Sequence, residues 1–319
     1  GDRGLYTPKL VFDPSPDVTW TLSWRSDGSE RARTYVGSLT VKPDPRQSGS
    51  LLLVNATPLE DYVASVVAAE YSFDDLEGAK AMAVVARTYA LTAADKFEGR
   101  YDHVDHTGSQ VYNGTSAITG LTRRAARETR GEVVTYADTL IQAVYFSSSG
   151  GHTADNEDVW NADRVLPYLR GKRDPYDGNS PHHRWTTRIN RQALLRALDR
   201  EHDISVEGFV IGARSDEGRV TRIDLLDAQG RKHPMQANAF RLLVNRSIDG
   251  ARLKSTWFDA RRRGSNYVFD GRGFGHGVGL SQWGTHEMAS RGKSYREILT
   301  FYYTGVEIQR LDGVQIAPT

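Results

Sequence analysis

The stretch LEDYVASVVAAEYSFDDLEGAKAMAVVARTYAL, which runs from Leu59 to Leu91, decides the helical part of the fold. Its first half repeats apolar side chains at i, i+3, i+4, i+7 and i+8, the spacing of one helix face. The side chains that share this face are Leu59, Tyr62, Val63, Val66 and Val67. Thr57, Pro58 and Glu60 stand where an N-terminal cap and its capping box would lie. The alanine-rich run from Asp75 to Lys96 predicts a second helix that other elements approach closely.

Glu70 continues the apolar row of the first helix. It stands at i+11 from Leu59, and a helix turns about 100° per residue, so Glu70 falls on the buried side. One interpretation is an ordinary salt-bridged glutamate at a fraying helix end. The other is a carboxyl withdrawn from water, since such a group holds a proton near neutral pH and can give it to a leaving group. Glu70 is therefore the candidate catalytic acid.

Two cations share one face of the second helix. Lys80, Val84, Arg87 and Leu91 follow the spacing i, i+4, i+7 and i+11. They form either a solvated stripe with apolar stems, or the cationic side of a pocket in which Arg87 orients a carboxylate or a sugar.

Strand patterns surround this helical pair and predict an α+β fold. The first 45 residues contain three alternating runs, and Asp27-Gly28 between two of them predicts a hairpin. Lys42–Ser50 predicts a turn or short linker. Further strands are expected on both sides of Ala137-Asp138 and across residues 204–235. Helices are expected at 190–200, 282–290 and 295–303. We expect mostly antiparallel strands, with a small β-rich N-terminal segment, 1–45, and a larger domain, 51–310.

Composition excludes several classes of protein. The chain has 319 residues and a formal net charge of +1, which gives no bulk electrostatic case for nucleic acid binding. The absence of cysteine removes disulfides, thiolate metal sites and cysteine nucleophiles. No apolar run approaches the length of a membrane span, and no signal peptide is visible, so we expect neither segment in this chain.

The segment GRGFGHGVGLSQWG, Gly271–Gly284, has glycine at five alternate positions. Glycine at this density costs conformational entropy, so it needs a reason in packing, in tight turning or in the close approach of a ligand. On the ligand interpretation an extended polymer lies along the backbone, with hydrogen bonds from His276, Ser281 and Gln282. Phe274 and Trp283 then supply apolar surfaces for sugar faces.

A second polar cluster, SSSGGHT, spans Ser147–Thr153. It does not match the G-x-S-x-G nucleophile elbow. It is either an ordinary polar loop or a row of hydroxyls that faces a saccharide.

Metal patterns are weak. His103, Asp105 and His106 give three potential ligands in a short stretch, but no second anchoring pair and no HExxH motif accompany them. We expect no functional metal, and a metal-dependent hydrolase that uses His103 and His106 is the least favoured function.

Three segments together resemble the SpoIID/LytB family, that of stage II sporulation protein D and the LytB amidase enhancer. They are the run from Leu59 to Leu91, YFSSSGGHT with nearby Val159-Trp160, and the glycine segment with its continuation to Ile308. Gln110-Val-Tyr-Asn-Gly114 fits between them in order. The resemblance covers roughly residues 51–310.

The resemblance implies a bacterial lytic transglycosylase, a lyase that acts on peptidoglycan strands freed of stem peptides in the cell wall. It implies that Glu70 is the single general acid and base, and that the domain holds an elongated substrate groove. The residues it implies for substrate contact are Lys80, Arg87, Gln110, Tyr145, Ser147, Ser148, Ser149, His276 and Gln282. The alternative is a non-catalytic protein that binds glycan and enhances a cell-wall amidase, which would be its partner.

The resemblance also implies a location in the periplasm or outside the cell, facing the wall. Some members of the family bind a metal through cysteine and histidine just before the QVY segment. Here Val104, Gly108 and Ser109 align with those ligands, so we expect an enzyme without a cofactor.

Overall fold

The computed structural model describes residues 9–15, 18–92, 97–160, 164–202 and 204–313. The strands in these ranges are β1 (Leu10–Phe12), β2 (Trp20–Ser26), β3 (Ser29–Tyr35), β4 (Ser38–Pro43), β5 (Leu51–Ala56), β6 (Glu132–Tyr136), β7 (Thr139–Leu140), β8 (Tyr145–Phe146), β9 (Trp185–Asn190), β10 (Val206–Arg214), β11 (Val220–Asp227), β12 (Lys232–Gln236), β13 (Phe258–Arg263), β14 (Asn266–Gly271), β15 (Leu280–Ser281) and β16 (Glu307–Arg310). The helices are α1 (Leu59–Glu70), α2 (Leu76–Thr92), α3 (Gly120–Glu128), α4 (Asn156–Trp160), α5 (Arg191–His202), α6 (Ala237–Ser247), α7 (Gln282–Ser290) and α8 (Tyr295–Tyr302). Short 3-10 turns lie at Thr115–Ala117 and Leu311–Gly313.

The chain divides into two compact units. Unit 1 consists of the described residues up to Gln142 together with those from Ile308 onward, and unit 2 is Ala143–Glu307. The division proposed from sequence, 1–45 and 51–310, stays a prediction.

Unit 1 is built around three helices. α1, α2 and α3 pack on one another, and α2 also packs on β6 of the sheet β16-β6-β7. The apolar stripe predicted for α1 is buried where it meets its neighbours: Val63, Val66 and Val67 have no exposed surface. The alanines of α2 are equally enclosed, since small side chains let neighbouring elements approach closely. The apolar periodicity therefore identified the core of this unit.

Short β-elements precede these helices. β1, β4 and β5 form one sheet, and β2 and β3 form a separate hairpin. Asp27 and Gly28 at its tip have φ of 51° and 76°, so both lie in the left-handed region that a two-residue turn requires. The hairpin predicted at Asp27-Gly28 is confirmed. A second such turn at Ala137 and Asp138 joins β6 to β7.

The start of α1 differs from the prediction. Pro58, not Thr57, is the cap residue, and it makes no side-chain capping hydrogen bond. Glu60 does not complete a capping box, because its carboxylate pairs with Arg87 on α2. A long-range ion pair has replaced the expected local hydrogen bond to the backbone.

Unit 2 holds two three-stranded antiparallel sheets, β10-β11-β12 and β13-β14-β9. A single apolar cluster joins them to α5 and α6, with Phe240 and Phe269 fully buried in it. β8 and β15 form a separate parallel pair.

The predicted α+β class is confirmed: helices stand beside sheets whose strands are mostly antiparallel. The helices predicted in 190–200, 282–290 and 295–303 correspond to α5, α7 and α8. For α2 the prediction reached Lys96, and its last four residues lie outside the described ranges. The helices α3, α4 and α6 were not predicted from the sequence patterns. No helix among the described residues is long and apolar enough to cross a membrane.

Candidate functional site

Glu70 is the last residue of α1 and is half-buried. Its Oε1 accepts a hydrogen bond from the backbone N–H of Val111 at 2.9 Å. Burial raises the pKa of Tyr62, and the charges of Tyr89, Tyr112 and Glu70 raise it further. Glu70 is thus oriented by the backbone while it keeps contact with solvent.

Gln110 lies next to the N–H that orients Glu70. Its side chain has no exposed surface, and Oε1 accepts a hydrogen bond from the Tyr62 hydroxyl at 3.2 Å. The predicted contact between Gln110 and substrate does not fit this burial. Its position instead fixes the segment that holds Glu70, by tying that segment to α1.

Arg87 also departs from the prediction. Its side chain is fully buried, and Nε and Nη2 bind the two carboxylate oxygens of Glu60 at 3.0 and 2.6 Å. The backbone oxygens of Ala126 and Glu132 accept further hydrogen bonds from the guanidinium. A guanidinium without exposed surface cannot touch a glycan, so Arg87 links α1, α2, α3 and β6 within unit 1.

Lys80 lies one turn from the start of α2. Its Nζ pairs with Glu77 at 3.0 Å and with Glu128 of α3 at 2.7 Å. Burial opposes the charge of Lys80, but the hydrogen bonds to these two carboxylates raise its pKa on balance. The ammonium therefore fastens α2 to α3, and its predicted substrate contact stays a prediction without support from these partners.

Replacing Arg87 by methionine should lower the free energy of unfolding by about 3–5 kcal/mol, because it leaves the Glu60 carboxylate and two carbonyls without their partner. Urea unfolding measures this loss. Arg123→Met is the control, since Arg123 is exposed and lies 3.9 Å from Asp61, a pair worth little. An Arg87→Met protein of unchanged stability that no longer binds glycan would restore the substrate role predicted from sequence.

The loop Ser147–Thr153 of unit 2, here called the serine-glycine loop, is held by a carboxylate. Asp177 is fully buried. Its carboxylate accepts hydrogen bonds from the serine-glycine loop, from the glycine segment and from a histidine outside both. The donors are Ser148 Oγ at 3.0 Å, Ser149 N and Gly150 N at 2.8 Å, His183 Nδ1 at 3.0 Å and Ser281 Oγ at 3.5 Å. Ser148 and Ser149 are themselves buried, so their predicted contact with saccharide does not fit the structure. Their hydroxyls and amides organise the loop.

The alternate glycines pack against the protein. Gly273, Gly275, Gly277 and Gly279 have φ between 73° and 107°, and Phe274 pairs with Ser148 as an isolated β-bridge. A Cβ at Gly273 would lie 2.6 Å from the carbonyl oxygen of Ser148. The expectation that the glycines make room for a glycan is corrected: they make room for the serine-glycine loop and its neighbours.

Replacing Gly273 by alanine should lower the free energy of unfolding by about 2–4 kcal/mol, since the residue has positive φ and its Cβ would meet backbone. Gly230→Ala separates the two causes: Gly230 has φ of 74° but no atom within 4 Å of its Cβ position. We expect it to lose about 1 kcal/mol. Equal losses in thermal unfolding would show that close packing contributes nothing.

His276 is half-buried, and its imidazole is hydrogen-bonded within the loop that carries it. Nδ1 accepts a hydrogen bond from the N–H of Val278 at 3.1 Å, so the neutral ring has its proton on Nε2. Burial, with the charge of Arg241, lowers the pKa of His276 to about 3, although a hydrogen bond to the Tyr145 backbone opposes this. The indole of Trp160 lies 5.3 Å from the imidazole between ring centres. His276 is therefore a neutral hydrogen-bonding group beside an aromatic ring.

The His276 imidazole should not titrate between about pH 5 and pH 8, because its lowered pKa keeps it neutral throughout this range. Nuclear magnetic resonance of a ¹⁵N-labelled ring tests this, with the proton expected on Nε2. Exposed His106 supplies a reference imidazole signal in the same spectra. A midpoint for His276 near the ordinary value would contradict the assignment.

The remaining predicted contacts lie together in unit 2. Parallel pairing puts Tyr145 beside Leu280, and the N–H of Trp283 donates to the carbonyl of Ser147 at 3.0 Å. Tyr145, Ser147 and Gln282 are all half-buried and keep exposed surface. With His276 they form the part of the predicted contact set that a ligand could reach within this unit.

The histidines before the QVY segment have protein partners. His103 Nε2 lies 2.9 Å from the carbonyl of Ala90, and His106 Nδ1 accepts from the N–H of Gly108. Asp105 pairs with Arg33 at 3.0 Å. Within the described ranges no three histidine, aspartate or glutamate side chains are grouped as metal ligands.

Sequence patterns assigned no site role to Asp177 or Arg219. Arg219 is almost fully buried, donates to the carbonyls of Ser149 and His152, and lies under Gly277. No periodicity flags either residue, because their partners are distant in sequence. A buried charge becomes recognisable only when its surroundings are known.

Comparison with known sequences agrees with the motifs. The family described as "Stage II sporulation protein" (SpoIID) matches residues 47–136, and a domain of unknown function (DUF8618) matches residues 165–279. Stage II sporulation protein D of Bacillus subtilis is 31% identical over 309 residues, which cover 90% of this chain and 83% of that protein. An uncharacterised protein of Brachyspira hyodysenteriae is 32% identical over 311 residues, covering 96% of this chain and 77% of the relative.

The amidase enhancer of Bacillus subtilis is also similar. It is 30% identical over 278 residues, which cover 73% of this chain and 38% of the enhancer. The SpoIID match includes α1, Glu70 and the QVY segment, and the second match includes Asp177 and His276. By its similarity to stage II sporulation protein D over most of both chains, this protein belongs to the SpoIID family.

Proposed function

We propose that this protein is a peptidoglycan lytic transglycosylase that cleaves the bond between N-acetylmuramic acid and N-acetylglucosamine in stem-peptide-free strands. The observation that carries the proposal is the position of Glu70: half-buried at the end of α1, with Oε1 held by the Val111 N–H at 2.9 Å. Membership of the SpoIID family supports it. A fixed, partly desolvated carboxyl that keeps contact with solvent suits proton transfer to a bound polymer.

In the proposed reaction Glu70 first donates its proton to the glycosidic oxygen, and the bond from that oxygen to C1 of the muramic acid breaks. The acetamido group of the same sugar stabilises the positive charge that develops at C1. The Glu70 carboxylate then takes the proton of the C6 hydroxyl, whose oxygen bonds to C1 and closes a 1,6-anhydro ring. One carboxylate therefore acts as acid and then as base, without the second carboxylate that hydrolytic glycosidases use.

Glycan contacts are assigned to the accessible side chains of unit 2. They are Tyr145, Ser147, His276 and Gln282, each of which keeps exposed surface. Ser148 and Ser149 act indirectly, since Asp177 holds them and they hold the loop.

The alternative is a non-catalytic enhancer of a cell-wall amidase. The relative named amidase enhancer supports it, although the alignment covers only 38% of that protein. Under either function the protein acts where it faces the cell wall. The alternative uses the same glycan contacts of unit 2 but requires no chemistry from Glu70.

Incubation with denuded glycan strands, with and without a cell-wall amidase, distinguishes the two functions. The lytic transglycosylase predicts shorter strands from the protein alone, and little cleavage of strands that retain stem peptides. The enhancer predicts intact strands from the protein alone and faster peptide release when the amidase is present. Chromatography of the strands and mass spectrometry of released peptides measure both.

A further inference from the structure

Two cations of unit 2 lie directly against the glycine segment. The backbone oxygen of Lys254 accepts a hydrogen bond from the N–H of Gly275 at 2.8 Å. Nη1 of Arg241, on α6, donates to the same oxygen at 3.4 Å. Both side chains are half-buried. The loop that carries His276 is thus flanked by two positive charges.

Neither cation has an acidic partner among the residues that the structure describes. Nζ of Lys254 lies 3.0 Å from Nδ1 of His182, and Nε of Arg241 donates to the amide oxygen of Asn238 at 3.1 Å. Burial lowers the pKa of His182, and so does the Lys254 charge, so the imidazole is neutral and accepts from the ammonium. Two half-buried charges balanced only by neutral groups are costly, and a bound anion would offset that cost.

The buried carboxylate of Asp177 does not supply this balance. Asp177 acts on the pKa of His182 through its charge, but its oxygens are already taken by donors of the serine-glycine loop and by His183. In contrast, the half-buried Arg170 of the same unit contacts both Asp155 and Glu157. Among the residues that the structure describes, the lack of a carboxylate at Lys254 and Arg241 is therefore a local feature of this surface.

Aromatic surface adjoins the two cations. Phe274 is 40% exposed and meets the His182 ring edge-on, with centres 5.0 Å apart. Trp160 is 37% exposed beside His276, whose pKa the Arg241 charge helps to lower. Apolar surfaces with a few placed polar groups are typical of ligand sites, and here the polar groups are cationic. This combination fits an acidic sugar.

N-acetylmuramic acid carries a lactyl ether whose carboxylate is free only when no stem peptide is attached. When a peptide is attached, that carboxyl is an uncharged amide. Resting on the function proposed above, we infer that Lys254 and Arg241 bind the free lactyl carboxylate of a muramic acid residue, and that this contact selects stem-peptide-free strands. The positive charges of Lys254 and Arg241, which would recognise a denuded strand, thus lie beside the loop that carries His276.

Binding assays in a Glu70→Gln background test this, because the strands then stay intact. The probes are denuded strands, the same strands with their carboxyls converted to methylamides, and chitin oligomers, which lack the carboxyl. Lys254→Gln should weaken binding of denuded strands by about tenfold or more and leave the two neutral probes unchanged. Lys254→Arg should retain the preference for denuded strands.

Arg252→Gln is the matched control, since it removes one exposed positive charge two residues away. It should leave binding of all three probes unchanged. Equal weakening for all three probes by Lys254→Gln, or no weakening of denuded strands, would overturn the assignment while the proposed cleavage stands. Failure of the parent protein to bind any probe would overturn the proposed function and this inference together.

Discussion

Replacing Glu70 by glutamine should lower the rate of glycan cleavage by about a hundred- to ten-thousand-fold and leave strand binding intact. Glutamine keeps the length of the side chain, and its amide oxygen can still accept the Val111 N–H that orients Glu70. It cannot donate and then remove the proton that the proposed reaction needs. The fold should therefore persist while the chemistry is lost. Timed digestion of denuded strands measures the rate, and sedimentation with them measures binding.

Glu98→Gln is the control for this change. Glu98 also belongs to unit 1; its side chain is 84% exposed, and within the described ranges it pairs with Arg100. The Glu98→Gln protein should cleave strands at the parent rate. A Glu70→Gln protein that cleaves as fast as the parent would remove Glu70 from the chemistry, and a parent without activity would favour the enhancer.

Replacing Asp177 by alanine should lower the free energy of unfolding by about 3–5 kcal/mol, among the largest effects of any single change in unit 2. Its carboxylate is fully buried and joins the serine-glycine loop to His183 and Ser281. Removing it leaves the N–H groups of Ser149 and Gly150 buried without an acceptor. Urea unfolding of the purified protein measures the loss.

Two further variants calibrate the Asp177 result. Asp177→Asn keeps one acceptor oxygen and should fall between the parent and Asp177→Ala. Asp259→Ala removes an 82% exposed carboxylate that pairs with Arg214, so it should change stability by less than about 1 kcal/mol. If Asp177→Ala were no more damaging than Asp259→Ala, the loop would be held by other contacts.

Local patterns in the sequence predicted local structure well. The spacing of Val63, Val66 and Val67 identified the buried face of α1, because that face depends only on residues within the same helix. Asp27-Gly28 predicted its hairpin for a similar reason, since a two-residue turn needs left-handed backbone at both positions. These elements are determined by neighbours in the chain.

Roles that depend on distant partners could not be predicted. The spacing of Lys80 and Arg87 correctly suggested a shared face, but not that Glu60 would meet the guanidinium of Arg87. The glycine density correctly indicated close approach, but not that the approaching group would be the serine-glycine loop. In each case the residue that determines the role lies far along the chain, and no spacing rule relates the two positions.

The same limit applies to the candidate site. The apolar row led to Glu70, since periodicity shows when a carboxylate stands on an otherwise apolar face. Asp177 stands in no such row, and its importance follows only from the donors that converge on it. Lys254 and Arg241 likewise stand out only because, among the described residues, their partners are neutral side chains rather than acids.

The most direct test of the proposed chemistry is digestion of denuded strands in water enriched in heavy oxygen, with mass spectrometry of the new ends. We expect muramic acid ends closed as 1,6-anhydro rings that contain no heavy oxygen, because the C6 hydroxyl of the substrate attacks C1. Reducing ends that contain heavy oxygen would show that water is the nucleophile. That result would contradict the single-carboxylate mechanism assigned to Glu70.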